Sequence, residues 1–225
     1  MLVGLISDVH SNAVALEAVL SALNEMGVEK ILHAGDIIGY NPYPNETVEL
    51  FRKNRIISIL GNHDRALLSK ETSDFNPHAA AALEWTGNVL LPDKFKYFLS
   101  LKNLESLLIN NTRAVLVHGS PRDVDEYVFP ENASPYFLAA ADCDVLVLGH
   151  THIQFKREYS SGTIVNPGSV GQPRDENPKA AFAVLDTASG KVELERTSYD
   201  IEKVAEDIFS AHLPETLGLR LRLGL

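Results

Sequence analysis

Short apolar runs punctuated by polar clusters dominate the first two-thirds of the chain. Residues 2–7, 31–34, 56–60, 114–117 and 145–148 are leucine-rich or β-branched runs of strand length, each ending where polar residues begin. They predict buried strands with polar groups gathered at their ends. Between the first two, Val14, Ala18, Val19, Leu23 and Met26 recur at helical spacing over 13–26, and Gly27 follows as a C-cap. A second helix is predicted over 44–53, which gives the strand and helix alternation that parallel crossovers require. From 75 to 101 the pattern changes. Ala79 to Ala82, Trp85 and the apolar positions of 95–99 lack strand alternation and predict helices inserted over the sheet or its mouth, within an insertion spanning about 66–112. Strand signals resume at 163–165, 180–185 and 191–197, the last two joined through 187–190 as a hairpin. Ile201, Val204, Ala205, Ile208 and Phe209 predict a closing helix, whereas the Leu-Arg tail at 217–225 fits helix and strand equally well.

Composition narrows the setting. A chain of 225 residues with 45% hydrophobic and 22% charged positions buries a substantial core, and residues 1–225 read as one α/β domain. Lys and Arg total 20 against 30 Asp and Glu; a formal charge of -10 argues against gripping long nucleic acids. A single cysteine, Cys143, excludes an internal disulfide and a thiolate metal cage, and fits a reducing cytoplasm. The apolar run at 2–6 is too short for a signal core or a membrane span, so neither a targeting segment nor a membrane partner is expected.

Five clusters follow the apolar runs: Asp8 with His10; Gly35 and Asp36; Gly61, Asn62, His63 and Asp64; His118 and Gly119; and Gly149, His150, Thr151 and His152. Ligands collect at strand ends in open α/β sheets, so these clusters are expected to converge. Carboxylate, amide and imidazole donors suit hard or borderline divalent metals. Asp8 and His10, two apart on an extended segment, are expected to point the same way and chelate one ion, as are His150 and His152. The preceding glycines read as places where backbone must come close to the site. His33, His78 and His212 lie outside the clusters and read as structural or exposed. Cys143 reads as a small buried residue, and Trp85 and Tyr127 as core or cap aromatics rather than base-stacking walls.

Taken in order, the clusters match DxH, GD, GNH(D/E), a histidine before glycine, and GHxH. From Asp8 to His152 the sequence resembles the calcineurin-like metallophosphoesterase family. The resemblance implies an α/β (α+β) fold of two packed mixed β-sheets flanked by helices in four layers, αββα, with a helical cap insertion. It implies that Asp8, His10 and His152 hold one metal, Asn62, His118 and His150 the other, and that Asp36 bridges them. Manganese is the first expectation, ahead of iron, nickel, zinc, cobalt or magnesium. A metal-bridging hydroxide would attack the phosphorus, with His63 as general acid. The stretches 35–45, 76–86 and 166–173 resemble a small bacterial and archaeal phosphodiesterase-like branch. Protein phosphatases of the superfamily carry an Asp-Arg pair where this chain has Gly39 and Tyr40, which leaves Asp64 or a residue outside the motifs to orient His63. Arg65, Arg122 and Arg174, beside the motif segments, are expected to bind substrate. The expected activity is phosphodiester hydrolysis on nucleotide-type or small-molecule substrates, with phosphomonoesterase action as the alternative. A non-catalytic scaffold, as in vacuolar sorting subunits, is disfavoured by an intact His63. A second copy of the chain, met through the Leu-rich C-terminus, is the other expected partner.

Overall fold

Strand β1 (Leu2–Ile6) leads through helix α1 (Ala13–Glu25) to β2 (Lys30–His33), and through α2 (Pro44–Lys53) to β3 (Ile57–Ser58), in a computed structural model that describes all 225 residues. Asn12 opens α1 by accepting the backbone N–H of Ala15, and Pro44 starts α2, where its missing N–H is no loss. The three strands pair in parallel, and the hairpin β9 (Ala180–Asp186) to β10 (Lys191–Thr197) adds antiparallel beside β1, giving the order β10-β9-β1-β2-β3.

The second sheet runs β4-β5-β6-β8-β7, from β4 (Leu104–Ile109), β5 (Thr112–Val117), β6 (Val145–Val147), β7 (Phe155–Tyr159) and β8 (Gly162–Asn166). Its centre is parallel and its edges are antiparallel. The sheets pack face to face through Val3, Leu5, Leu32, Leu116, Val147, Val165 and Leu185. Alternate residues serve the outer layers. Leu16, Val19, Val48 and Phe51 of α1 and α2 cover the first sheet, and Phe137 and Leu138 of α6 (Pro135–Ala141) cover the second. The four αββα layers are those the family resemblance implied.

The inserted segment differs from expectation at its C-terminal end. Helices α3 (Asn62–Ser69), α4 (Pro77–Val89) and α5 (Pro92–Phe98) stop at Phe98, and 104–109 is an edge strand of the second sheet rather than part of a helical cap reaching 112. Only Leu107 and Ile109 of β4 reach the inter-sheet core, while Leu104 and Leu108 face solvent, so the strand's apolar pattern does not alternate. The charged edge strand β7 escapes the pattern for the same reason. The tail resolves as helix: α8 (Glu215–Leu221) folds back on α7 (Ile201–Ser210). Leu217 and Leu221, read above as part of a surface for a second copy, pack instead against Tyr40, Val204 and Ile208 of their own chain; Leu219, Leu223 and Leu225 stay exposed. No helix is long and apolar enough to cross a membrane.

Candidate active site

The C-terminal ends of β1, β2, β3, β5 and β6 meet along one edge of the paired sheets, and the five clusters sit there. Asp8 and His10 do not converge by strand alternation, because β1 ends at Ile6 and both residues adopt left-handed backbone, with φ of 53° and 47°. His150 and His152 likewise have φ of 69° and 61°, so the period-two argument fails for both pairs. Tight turns aim these side chains instead, and such conformations persist only where surroundings over-determine them. Here Asp8 and His10 donate their backbone N–H groups to Gly35 and Asp36 carbonyls, each at 3.0 Å. Glycine is needed where the loops touch. A Cβ on Gly35, at φ +97°, would stand 2.7 Å from His118 Nδ1, and one on Gly61 would overlap the Asp36 carboxylate.

The imidazoles are fixed through one nitrogen each. Nδ1 of His10, His118 and His152 meets the carbonyls of Ile38, Ala34 and Gln172 at 3.1, 2.8 and 2.6 Å. A carbonyl only accepts, so these Nδ1 atoms carry the proton, and in neutral His10 and His152 the Nε2 atoms turn lone pairs inward. His10 Nε2 lies 3.0 Å from His152 Nε2, and His118 Nε2 lies 3.2 Å from His150 Nδ1 and 3.0 Å from Asn62 Oδ1. The Nε2 lone pairs of His10 and His152, opposed at that distance, call for a cation between them. Asp36 stands in the middle, its Oδ2 3.5 Å from His10 Nε2 and 3.4 Å from His118 Nε2, while Oδ1 accepts the His63 N–H at 2.9 Å. Asp8 Oδ1 is 3.4 Å from His152 Nε2. The groupings Asp8–His10–His152 and Asp8–Asp36–His118 each hold ligand atoms within 4.8 Å of one another. Divalent metals fit this set, with Asp36 shared between two halves.

Electrostatics point the same way. Burial pulls His10 and His152 well below the usual histidine range and His150 to about 3, which keeps their donor nitrogens free of protons. Burial alone would lower His118 too, but Asp36 and Asp8 outweigh it and raise it to about 9. Asp36 is held low against its burial, chiefly by His118 and then His63, while burial lifts Asp8 to about 7. Such a proton is what a metal displaces on binding.

His63 is the second residue of α3 and is enclosed by His10, Tyr40 and Phe75 at ring-centroid distances of 4.6, 4.7 and 4.9 Å. Its Nδ1 is buried without a partner, against Gly39, where a Cβ would stand 2.6 Å away. Asp64 does not orient it. The Asp64 carboxylate accepts backbone N–H groups from Asp36 and Gly61 at 3.0 Å and Ile37 at 3.1 Å, and reaches Ile38 at 3.2 Å. As the third residue of α3 it clamps the Asp36 loop to the helix N-terminus.

The three arginines part company. A cleft of about 440 Å³ over the donor set is lined by Arg65 and Arg174 but not by Arg122. Arg122 is exposed, paired with Glu126 and laid over Phe137, so the substrate-binding expectation fails for it. Arg65 is paired with Asp125. Glu71 and Asp74 also line the cleft. Three aromatic residues escaped sequence reasoning as site residues: Tyr40, Phe75 and Tyr127. Tyr127 is 52% exposed with its ring centroid 3.9 Å from that of His150, whereas Trp85 packs into the helical cluster. Asn166, Ser169 and Gln172 brace the GHxH turn, His152 and Asp8 through the Gly149, Asp8 and Gln172 carbonyls, and their stretch was already singled out by its resemblance. His33 bonds Ser58 in the core, and His78 and His212 are exposed.

Comparison with known proteins agrees with this geometry. The model of the calcineurin-like phosphoesterase superfamily domain matches residues 1–190. An uncharacterised Methanocaldococcus jannaschii protein, MJ0912, is 37% identical over 241 residues, covering 99% of this chain and 98% of its own. The phosphodiesterase YfcE of Escherichia coli K12 is 26% identical over 191 residues, or 80% of this chain and 84% of its own. A metallophosphoesterase structure from Sphaerobacter thermophilus superposes with a TM-score of 0.85 at 36% identity, covering 100% of this chain and 99% of that one. This chain belongs to the calcineurin-like phosphoesterase superfamily, whose catalytic members are metal-dependent phosphoester hydrolases.

Proposed function

We propose that this protein hydrolyses phosphodiesters of low charge, on small-molecule or nucleotide-type substrates, with two divalent metal ions and His63 as proton donor. The observation that carries the reading is the opposed Nε2 lone pairs of His10 and His152, with Asp8, Asp36, His118 and His150 gathered beside them. Asp8, His10 and His152 would hold one ion, Asn62, His118 and His150 the other, and Asp36 would touch both. Bound divalent ions polarise phosphoryl oxygens and bring the pKa of water towards neutrality. Oxygen and imidazole donors without thiolate suit manganese, iron, nickel, zinc, cobalt or magnesium alike, and manganese is taken first among them.

His63 would hold its proton on Nε2, since the Nδ1 edge faces Gly39. Burial keeps this ring down at about 4, and an anionic ester arriving beside it would favour the protonated form. The walls support a diester. Arg65 is neutralised by Asp125, and Glu71 and Asp74 line the rim, so Arg174 is the one cleft cation without an acidic partner. A polyphosphate chain would meet repulsion at that rim. The exposed ring of Tyr127 supports a planar ester group beside His150. The lone buried Cys143 supports a cytoplasmic setting. Manganese-loaded protein should cleave bis(p-nitrophenyl) phosphate faster than p-nitrophenyl phosphate and leave dinucleoside tetraphosphates largely intact. Faster monoester cleavage would make the protein a phosphatase instead.

A further inference from the structure

Tyr40 and Arg174 do work that metal binding and proton transfer leave unexplained. Tyr40 is a bulky residue in left-handed backbone, φ 49°, and only 4% exposed. That conformation is unfavourable for a tyrosine and persists only where the surroundings impose it. One side of Tyr40 packs on Ala79, Ala82, Val204, Leu217 and Leu221, from α4 and the C-terminal helices; the other faces the cleft. Its hydroxyl accepts Arg174 Nη2 at 3.1 Å, and Gln172 Oε1 accepts the same nitrogen at 3.1 Å.

Arg174 thus has two neutral acceptors, both on one nitrogen. Its Nε is buried without an acceptor, and no carboxylate lies within ion-pair distance: neighbouring Asp175 is taken by Arg196. Nearby Arg220 adds a like charge, and its own pKa is lowered by burial and by Arg174. A half-buried guanidinium without a counter-charge is costly unless an anion completes it, and its planar fork suits two phosphoryl oxygens. The cleft it lines holds the metal donor set, so the anion expected there is the substrate phosphate.

We propose that Arg174 grips a non-bridging oxygen of the bound phosphate and that Tyr40, backed by the α7–α8 hairpin, is the positioning residue that aims it. This rests on the phosphoester reading above. The test is a double-mutant cycle on manganese-loaded protein, Tyr40→Phe, Arg174→Ala and both together. It is read as orthophosphate affinity by calorimetry and as KM and kcat on bis(p-nitrophenyl) phosphate. Arg174→Ala should weaken phosphate binding and raise KM about 10- to 100-fold, the range for a charged hydrogen bond. Tyr40→Phe should do so about 3- to 10-fold, with kcat changed less than KM. The double variant should be no worse than Arg174→Ala alone, because Tyr40 acts through that side chain. Unchanged phosphate affinity in Tyr40→Phe, losses that multiply, or loss of metal from Tyr40→Phe would each overturn the proposal. Wild-type protein that binds phosphate with this Arg174 dependence yet hydrolyses no ester would overturn the hydrolase reading and leave the pair standing.

Discussion

The Asp36 carboxylate does two jobs at once, holding the His63 N–H with one oxygen and facing His10 and His118 with the other. Asp36→Asn keeps the size and loses the charge shared by both halves of the donor set. It should drop bound metal below two ions per chain by elemental analysis and abolish turnover; full metal content with full activity would contradict the shared role. His63→Ala is expected to keep both metals and to slow alkyl esters about 100-fold or more, with a much smaller loss on nitrophenyl esters, whose leaving group needs no proton. Equal losses on the two ester types would exclude the acid role. Asp64→Ala should act differently, through the loop it clamps. Several buried N–H groups would lose their acceptor, lowering stability by about 1–3 kcal/mol in thermal unfolding. That Asp8, His10, Asp36, Asn62, His118, His150 and His152 gather at one edge was legible in the sequence because each cluster follows an apolar run and the clusters match the family motifs in order. The roles of Asp64 and Arg122 were not, since a long polar side chain near a motif can turn either way. A capping pattern from Gly61 to Asp64 and the Arg122–Glu126 spacing did carry a signal of where these two turn.

Among the elements, β1, β2 and β9 were readable as continuous apolar runs of strand length, and α1, α2 and α7 from apolar positions at every third to fourth residue. The edge strands of the second sheet, β4 and β7, were not. β4 exposes Leu104 and Leu108, and β7 buries only Phe155 along its length, so neither offers the alternation that marks a half-buried strand. The left-handed turns carrying Asp8, His10, His150 and His152 are set by contacts between loops far apart in sequence, and no local propensity announces them. The α7–α8 hairpin lies wholly outside the family-matched region, yet it packs directly behind Tyr40. Leu217→Ala, at a fully buried position of this contact, should lower stability by about 2–5 kcal/mol. If the hairpin supports Tyr40, orthophosphate affinity measured well below the new melting temperature should fall as well; a stability loss without any change in phosphate binding would confine the hairpin to a structural role.

For the molecule as a whole, two sheets packed face to face bring the C-terminal ends of parallel strands from each onto one edge, and this places Asp8 and Asp36 of one sheet against His118, His150 and His152 of the other. The site therefore straddles the inter-sheet core, and its integrity depends on both halves of the fold. The four-layer arrangement followed from the ordered motifs and their family resemblance; apolar periodicity by itself indicated only an α/β chain, because the choice between one sheet and two lies in pairings that no single strand encodes. Cys143 offers an independent probe of global opening. Burial, then Asp144 and Asp142, push its thiol up to about 12, so it should resist alkylation at neutral pH until the protein unfolds. The most direct test of the central claim is a metal titration of chelator-stripped protein, following hydrolysis of bis(p-nitrophenyl) phosphate as manganese is returned in known equivalents. The account predicts no turnover in the stripped protein and activity that rises to a plateau at two ions per chain. Turnover without added metal, or a plateau reached at one ion per chain, would contradict it.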